Sequence, residues 1–261
     1  MRAIATSPVR DVLAPEVAPA RLSVPLADGA QTTVHVAAYP RERTTLRAVV
    51  LRRPETLIGW CGRQGVPDAI VGGFFVRATG RPLGEVRTGG APRLSKGFLR
   101  PWDGLRACVH ADGGSVAIGQ RPDLPRRPRG DLLQAGPLLV RDGRAVVRDG
   151  EDPEGFSAGS AQFDSDITDG RYPRAALGVS GDTLFAVACD GRSPADAGMT
   201  LAELAQFMAR IGSESALNLD GGGSASLVCG GRLVNRPREA EGAAIPLGRP
   251  IVTALALVPR A

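Results

Sequence analysis

The stretch 216–235, ALNLDGGGSASLVCGGRLVN, sets one acid, Asp220, directly before Gly221, Gly222 and Gly223, with Ser224 next and apolar runs on both sides. Consecutive glycines cost stability, because they give up side-chain packing and lose more backbone entropy on ordering than any other residue. Three of them exceed what a turn needs. The spacing points to a place where a ligand approaches bare main chain beside an unshielded carboxylate. The plain alternative is an Asp-Gly turn closed by its own backbone bonds. Asp190, in CDGR (189–192), also ends an apolar run. It is a candidate second carboxylate, or a group that holds an arginine, and its alternative is again a turn.

Other chemistries that glycine, acid or cysteine patterns suggest fail on context. A Walker loop needs Lys then Ser/Thr after its last glycine and a helix beyond; here Ser224 leads into a strand-like run. A dinucleotide fingerprint also needs a following helix. FDSDITDGR (163–171) places its glycine one position late for a calcium loop and lacks the closing Glu, so it reads as a solvated acidic loop, with Asp166 or Asp169 as possible cleft neighbours. His35 and His110 are the two histidines, too few for a histidine metal centre or a supportable Ser-His-Asp triad. Cys61, Cys108, Cys189 and Cys229 lie far apart with no CxxC pair and read as small buried hydrophobes. No metal site and no cofactor is expected.

The elements that must position these residues are short strands. The 261 residues include 34 glycines and 21 prolines, dispersed rather than periodic, and 43% are hydrophobic, enough for a sizeable core. Segments 32–39 and 44–52 are β-branched and flank a PRER turn, which predicts a hairpin or adjacent strands. Segment 68–76 reads as a buried strand broken at Gly72 and Gly73. ADGG (111–114), RDGR (141–144) and SGD (180–182) mark three hairpins. One helix is predicted, in MTLAELAQFMARIG: Leu201, Leu204, Ala205, Met208 and Ile211 share a face, Thr200 and Glu203 form a capping box, and Gly212 ends it. That capping role accounts for Glu203. The tail 250–258 is a final strand. The class is α+β, a mainly antiparallel or mixed sheet with few helices, in a single domain.

The net charge is +5, and Lys96 is the only lysine. Arginine binds phosphate through a planar fork, so the bias suits a phosphorylated substrate. A GC-rich genome explains the same bias. The arginines are scattered and aromatics make up 4%, so no nucleic-acid partner is expected. No run reaches membrane-spanning length and residues 1–20 lack an apolar signal core, which predicts a soluble, cytoplasmic chain with no membrane partner.

ALNLDGGGSASLV followed by GRLVN resembles the signature of the phosphodiester glycosidase family. VGGFF (71–75), AGPLLVRDGR (135–144), RAALGV (174–179), CDGR, GMTLAELAQFM (198–208) and RPIVTALAL (249–257) fall in that family's order. The likeness spans roughly residues 30–258. It implies a proline- and alanine-rich lead-in over 1–29 and one phosphodiester glycosidase-like domain over 30–261, acting on a small phosphorylated sugar. The implied activity is hydrolysis of the glycosidic bond of a sugar-1-phosphodiester. Such a reaction needs a carboxylate, here Asp220 with Asp190 as second, and cationic donors for the phosphate. The matching context selects Arg174, Arg192 and Arg249 for the phosphate and Asn218 and Asn235 for sugar hydroxyls, with capping or loop bonding an open alternative for Asn235. Gly72, Gly73, Phe74, the three loop glycines and Ser224 are expected to line the cleft. One position departs: the family usually carries Asn where this chain has Val71. That change motivates an alternative, a divergent non-catalytic binder of a phosphorylated or nucleotide-linked sugar.

Overall fold

The computed structural model describes residues 19–157 and 167–260. Three sheets dominate, and every ladder between their strands is antiparallel. A seven-stranded sheet runs in the order Ala20–Pro25, Gln31–Pro40, Thr183–Cys189, Arg174–Val179, Ser215–Asn218, Leu138–Arg141, Arg144–Ala145. A five-stranded sheet runs Arg232–Leu233, Leu227–Cys229, Ala69–Val71, Ile251–Pro259, Thr44–Glu55. A second five-stranded sheet runs Ser115–Gln120, Ala107–Asp112, Asp131–Gln134, Val86–Thr88, Ala91–Pro92. The result is a sheet-rich domain that the α+β label fits only loosely.

Strand period two divides the seven-stranded sheet into two apolar faces. Ala175, Leu177, Ala186 and Leu217 face the main core, shared with Ile70, Leu227, Leu255, Val109 and Leu133 from both five-stranded sheets. Ala176, Val187, Val36 and Leu139 face helix α2 (Leu201–Arg210), whose Leu204, Ala205 and Met208 cover them together with Ile211 at its C-cap. The capping box forms as the sequence predicts: Thr200 Oγ1 accepts from Glu203 N–H at 3.1 Å, and Glu203 Oε2 accepts from Thr200 N–H at 2.9 Å. All four cysteines are free and buried.

Three expectations change. The segments flanking PRER do not pair: Gln31–Pro40 lies between Ala20–Pro25 and Thr183–Cys189, while Thr44–Glu55 pairs with Ile251–Pro259 in another sheet. The turn hands the chain from one sheet to the next. Within the lead-in expected over 1–29, Ala20–Pro25 forms a strand that pairs with Gln31–Val36, and residues 1–18 lie outside the described residues. A second helix, α1 (Leu57–Gln64), was not predicted. Thr56 Oγ1 caps it by accepting from Gly59 N–H, Leu57, Trp60 and Cys61 are its buried residues, and left-handed Gly65 ends it. Among the described residues, no helix is long and apolar enough to cross a membrane.

Candidate active site

The strand Ser215–Asn218 stops two residues before Asp220, and the glycine loop then crosses from the seven-stranded sheet to the five-stranded sheet that holds Leu227–Cys229. Both sheets fix its main chain. Leu219 N–H donates to Ala175 O at 2.8 Å, and Gly222 N–H to Pro173 O at 2.8 Å, on the seven-stranded side. Asp220 N–H donates to Gly72 O at 3.0 Å, and Arg249 N–H to Gly223 O at 3.0 Å, on the other. The loop therefore carries almost no freedom of its own despite its composition.

Each glycine lies close against a neighbour, backbone at Gly221 and side-chain ends at Gly222 and Gly223. A Cβ on Gly221 would stand 2.9 Å from Pro173 O. Gly222 has φ +59°, and a Cβ there would meet Arg192 Nη1 at 3.1 Å. A Cβ on Gly223 would meet Ile245 Cδ1 at 2.9 Å and Arg249 Nη2 at 3.0 Å. Two guanidinium groups thus lie against the glycine floor, and side chains on that floor would push them away.

Above the floor opens a cavity of about 380 Å³, within the size range of small-molecule sites. Its wall includes Asp220, Gly221, Gly222, Gly223, Ser224, Asn218, Arg174, Arg192, Arg249 and Phe74, all singled out from sequence, together with Arg77, Tyr172, Phe75 and Glu239. Asp220 is half-buried, and its Oδ1 accepts from Gly221 N–H at 2.9 Å. Burial pushes its carboxyl up to about 6; the Ser224 hydroxyl, the Gly221 N–H, Arg249 and Arg77 act in the opposite direction. The group is mostly ionised at neutral pH but held near its switching point.

The arginines divide into two kinds. Arg174 is buried, and its Nε and Nη2 donate to the carbonyls of Met199, Ile167 and Gly170, so it braces the wall. Arg192 adopts φ +59°, unusual for a residue with a side chain, and donates from Nη1 to Arg238 O at 3.1 Å. Burial, then the nearby Arg249, holds its guanidinium below the usual arginine range. Tyr172 lies between Arg174 and Arg192, its ring centre 5.2 and 5.3 Å from their guanidinium carbons. Arg249 Nε donates to Glu239 Oε1 at 3.1 Å, and its Nη2 pairs with Glu239 Oε2. That pair holds the Glu239 carboxyl below the usual range. Arg77 is exposed at the rim and forms no ion pair among the described residues. Arg249 and Arg77 are close enough to disfavour the charge on Arg192, and a bound anion would relieve that repulsion.

Asn218 adds an acceptor. Its Nδ2 donates to Gly136 O and Leu219 O at 3.0 and 2.9 Å, while its buried Oδ1 has no protein partner among the described residues.

Several expected site residues lie elsewhere. Asp190 is buried off the cavity, with Oδ2 3.1 Å from His35 Nε2 and Oδ1 accepting from Arg236 N–H at 2.6 Å. The structure does not bring it to the cavity that Asp220 lines, and its bonds are those of an internal tie. Asn235 is also buried off the cavity, accepting from Leu227 N–H and donating to Ala225 O, so the loop-bonding alternative describes it. Gly72 and Gly73 do not line the cavity; a Cβ would strike Thr253 at 2.5 Å or Gln134 O at 2.9 Å, so they serve close backbone crossing. Val71 is fully buried in the main core and is not part of the cavity wall. Asp166 lies outside the described residues, and Asp169 is not part of the wall. Glu239, Arg77 and Tyr172 were missed. Tyr172 precedes a segment already matched by two residues and Arg77 follows another by two, whereas Glu239 sits in a loop, PREAEG, with no local signal.

Known proteins match this arrangement. Residues 64–258, well over half of the chain, match the family described as phosphodiester glycosidase. The chain is 29% identical over 172 residues to N-acetylglucosamine-1-phosphodiester alpha-N-acetylglucosaminidase of Mus musculus, covering 64% of this chain and 32% of that protein. It is 28% identical over 188 residues to the Bos taurus protein of the same name, covering 67% and 33%. The chain thus spans about a third of the length of these curated relatives. Among solved structures, the zebrafish catalytic domain of that name, auto-inhibited by its pro-peptide, aligns with TM-score 0.71 at 21% identity, over 94% of this chain and 83% of that one. A hypothetical protein from Synechocystis aligns with TM-score 0.61 at 20% identity, over 92% and 61%. The structural likenesses establish the fold, and the extent of the family match establishes the rest: this chain belongs to the phosphodiester glycosidase family.

Proposed function

We propose that the chain hydrolyses the glycosidic bond of a sugar-1-phosphodiester, with Asp220 at the anomeric carbon and the phosphate held by Arg192, Arg249 and Arg77. One observation carries this reading: a half-buried carboxylate and converging guanidinium groups share one cavity over a floor of bare main chain. The family match and the names of the curated relatives support the choice of bond.

The chemistry follows from the charges. Water attacks C1 and gives its proton to ionised Asp220, whose negative charge also stabilises the oxocarbenium-like centre. The C1–O bond breaks, and its electron pair leaves with the phosphate, which becomes a monoester. A phosphate leaves more readily than an alkoxide, so the arginines that neutralise it take over much of the work of a general acid.

The test is Asp220→Asn, assayed on UDP-N-acetylglucosamine and on simple glycosyl phosphodiesters. The expected result is a fall in kcat/KM of about a thousandfold or more, with an unchanged far-UV circular dichroism spectrum. Turnover at the parent rate rejects the assignment.

A further inference from the structure

Glu239 enters the cavity from a loop anchored by the segment 190–192. Arg236 N–H is held by Asp190, and Arg238 O accepts from Arg192. The Glu239 side chain is 42% exposed, yet both its oxygens are on Arg249. A carboxylate lying side-on to a guanidinium occupies the same fork that a phosphate takes. The fork concerned is the one above Gly223, with Nη2 3.0 Å from where a Cβ would be. An incoming phosphate must therefore share Arg249 with a fixed negative charge.

That sharing is not neutral between ligands. Coulomb repulsion scales with ligand charge, so a dianion beside Glu239 is penalised twice as much, on a logarithmic scale, as a monoanion in the same place. A phosphodiester carries one negative charge, and the monoester left after hydrolysis carries two. We propose that Glu239 is a specificity residue, occupying the Arg249 fork so that the site admits a phosphodiester and rejects the phosphate monoester formed from it. The proposal rests on the phosphodiester reading above and adds to it a means of product release.

The test measures binding, so it does not depend on turnover. Wild-type protein and Glu239→Gln are titrated calorimetrically at pH 8 and low salt with inorganic phosphate, a dianion there, and with dimethyl phosphate, a monoanion. At an effective dielectric of about 40 and a separation of roughly 6 Å, removing the Glu239 charge is worth about tenfold per unit of ligand charge. Phosphate is expected to tighten about a hundredfold, dimethyl phosphate about tenfold, and their ratio to move about tenfold toward the dianion. Glu239→Asp, which keeps the charge, should retain the parent preference. If both ligands bind the parent and the ratio does not move in Glu239→Gln, this proposal falls and the phosphodiester reading stands. Weaker phosphate binding in Glu239→Gln also overturns it, because Glu239 would then be positioning Arg249 for the ligand. If neither anion binds either protein, the anion site falls and both readings go with it.

Discussion

Asp220→Asn makes a second, independent prediction, on stability. Burial holds the Asp220 carboxyl at about 6 against an unfolded value of 3.8. A group whose folded value is raised favours the fold below its unfolded value, and that advantage is lost as pH rises through the folded value. Wild-type stability should therefore fall, through this residue, between about pH 4 and pH 7. The full shift corresponds to about 3 kcal/mol. The side chain is only half-buried, and screening by water brings the expected effect to about 1–2 kcal/mol. Asparagine does not ionise, its Oδ1 can keep the Gly221 N–H bond, and its Nδ2 can donate to the Ser224 hydroxyl. At this chain length each kcal/mol moves Tm by about 2–4 °C. Thermal unfolding across pH 4–8 should show the variant gaining on wild type with pH, and melting about 2–8 °C higher at pH 8. A difference in Tm that stays flat with pH, or a variant less stable at pH 8, refutes the claim that the fold holds this carboxylate at a cost.

Two further substitutions separate floor from frame. Gly223→Ala places a methyl against the mobile ends of Ile245 and Arg249, so Tm should shift by no more than a few degrees while binding of inorganic phosphate weakens about tenfold or more. Unchanged phosphate affinity would count against the glycine floor as the reason for the triplet. Asp190→Ala leaves His35 and the Arg236 N–H without their buried partner and should destabilise by about 2–4 kcal/mol in urea unfolding, whereas a catalytic Asp190 would lose turnover at unchanged stability.

What the sequence made legible was local. The three hairpins at ADGG, RDGR and SGD form because their turn residues and flanking strands are neighbours in the chain. Helix α2 was legible for the same reason, its cap and apolar face lying within a dozen residues. Helix α1 carried the same signals in Thr56 and Gly65, but over too short a span to stand out from the strands beside it. The PRER segment failed because pairing partners are chosen over long range: Val34 lies opposite Cys189, and Thr44 opposite Pro259. The site shows the same division. Asp220 and its glycines announced themselves by composition. Asp190 had the same Asp-Gly signature, and only the position of His35, 155 residues away in sequence, decides that it faces inward. Glu239 had no signature, because an acid in a charged loop becomes informative only once Arg249 is beside it.

The site lies where two sheets meet, and that placement explains why so flexible a sequence can do rigid work. Glycine-rich loops ordinarily pay for close ligand approach with mobility. Here the main chain of residues 219–223 is bonded to Ala175 and Pro173 on one side and to Gly72 and Arg249 on the other. Gly72 can accept from Asp220 only because its own missing side chain lets the chain pass against Thr253. The glycine pair at 72–73 and the triplet at 221–223 are thus two halves of one crossing. One lets the strands approach and the other lets the arginines approach. Preorganisation of this kind lowers a barrier because donors and carboxylate are in place before charge develops. It also constrains the sequence: inserting one residue between Asn218 and Asp220 would break the bonds from Leu219 to Ala175 and from Asp220 to Gly72 together, and turn the carboxylate away from Arg192 and Arg249.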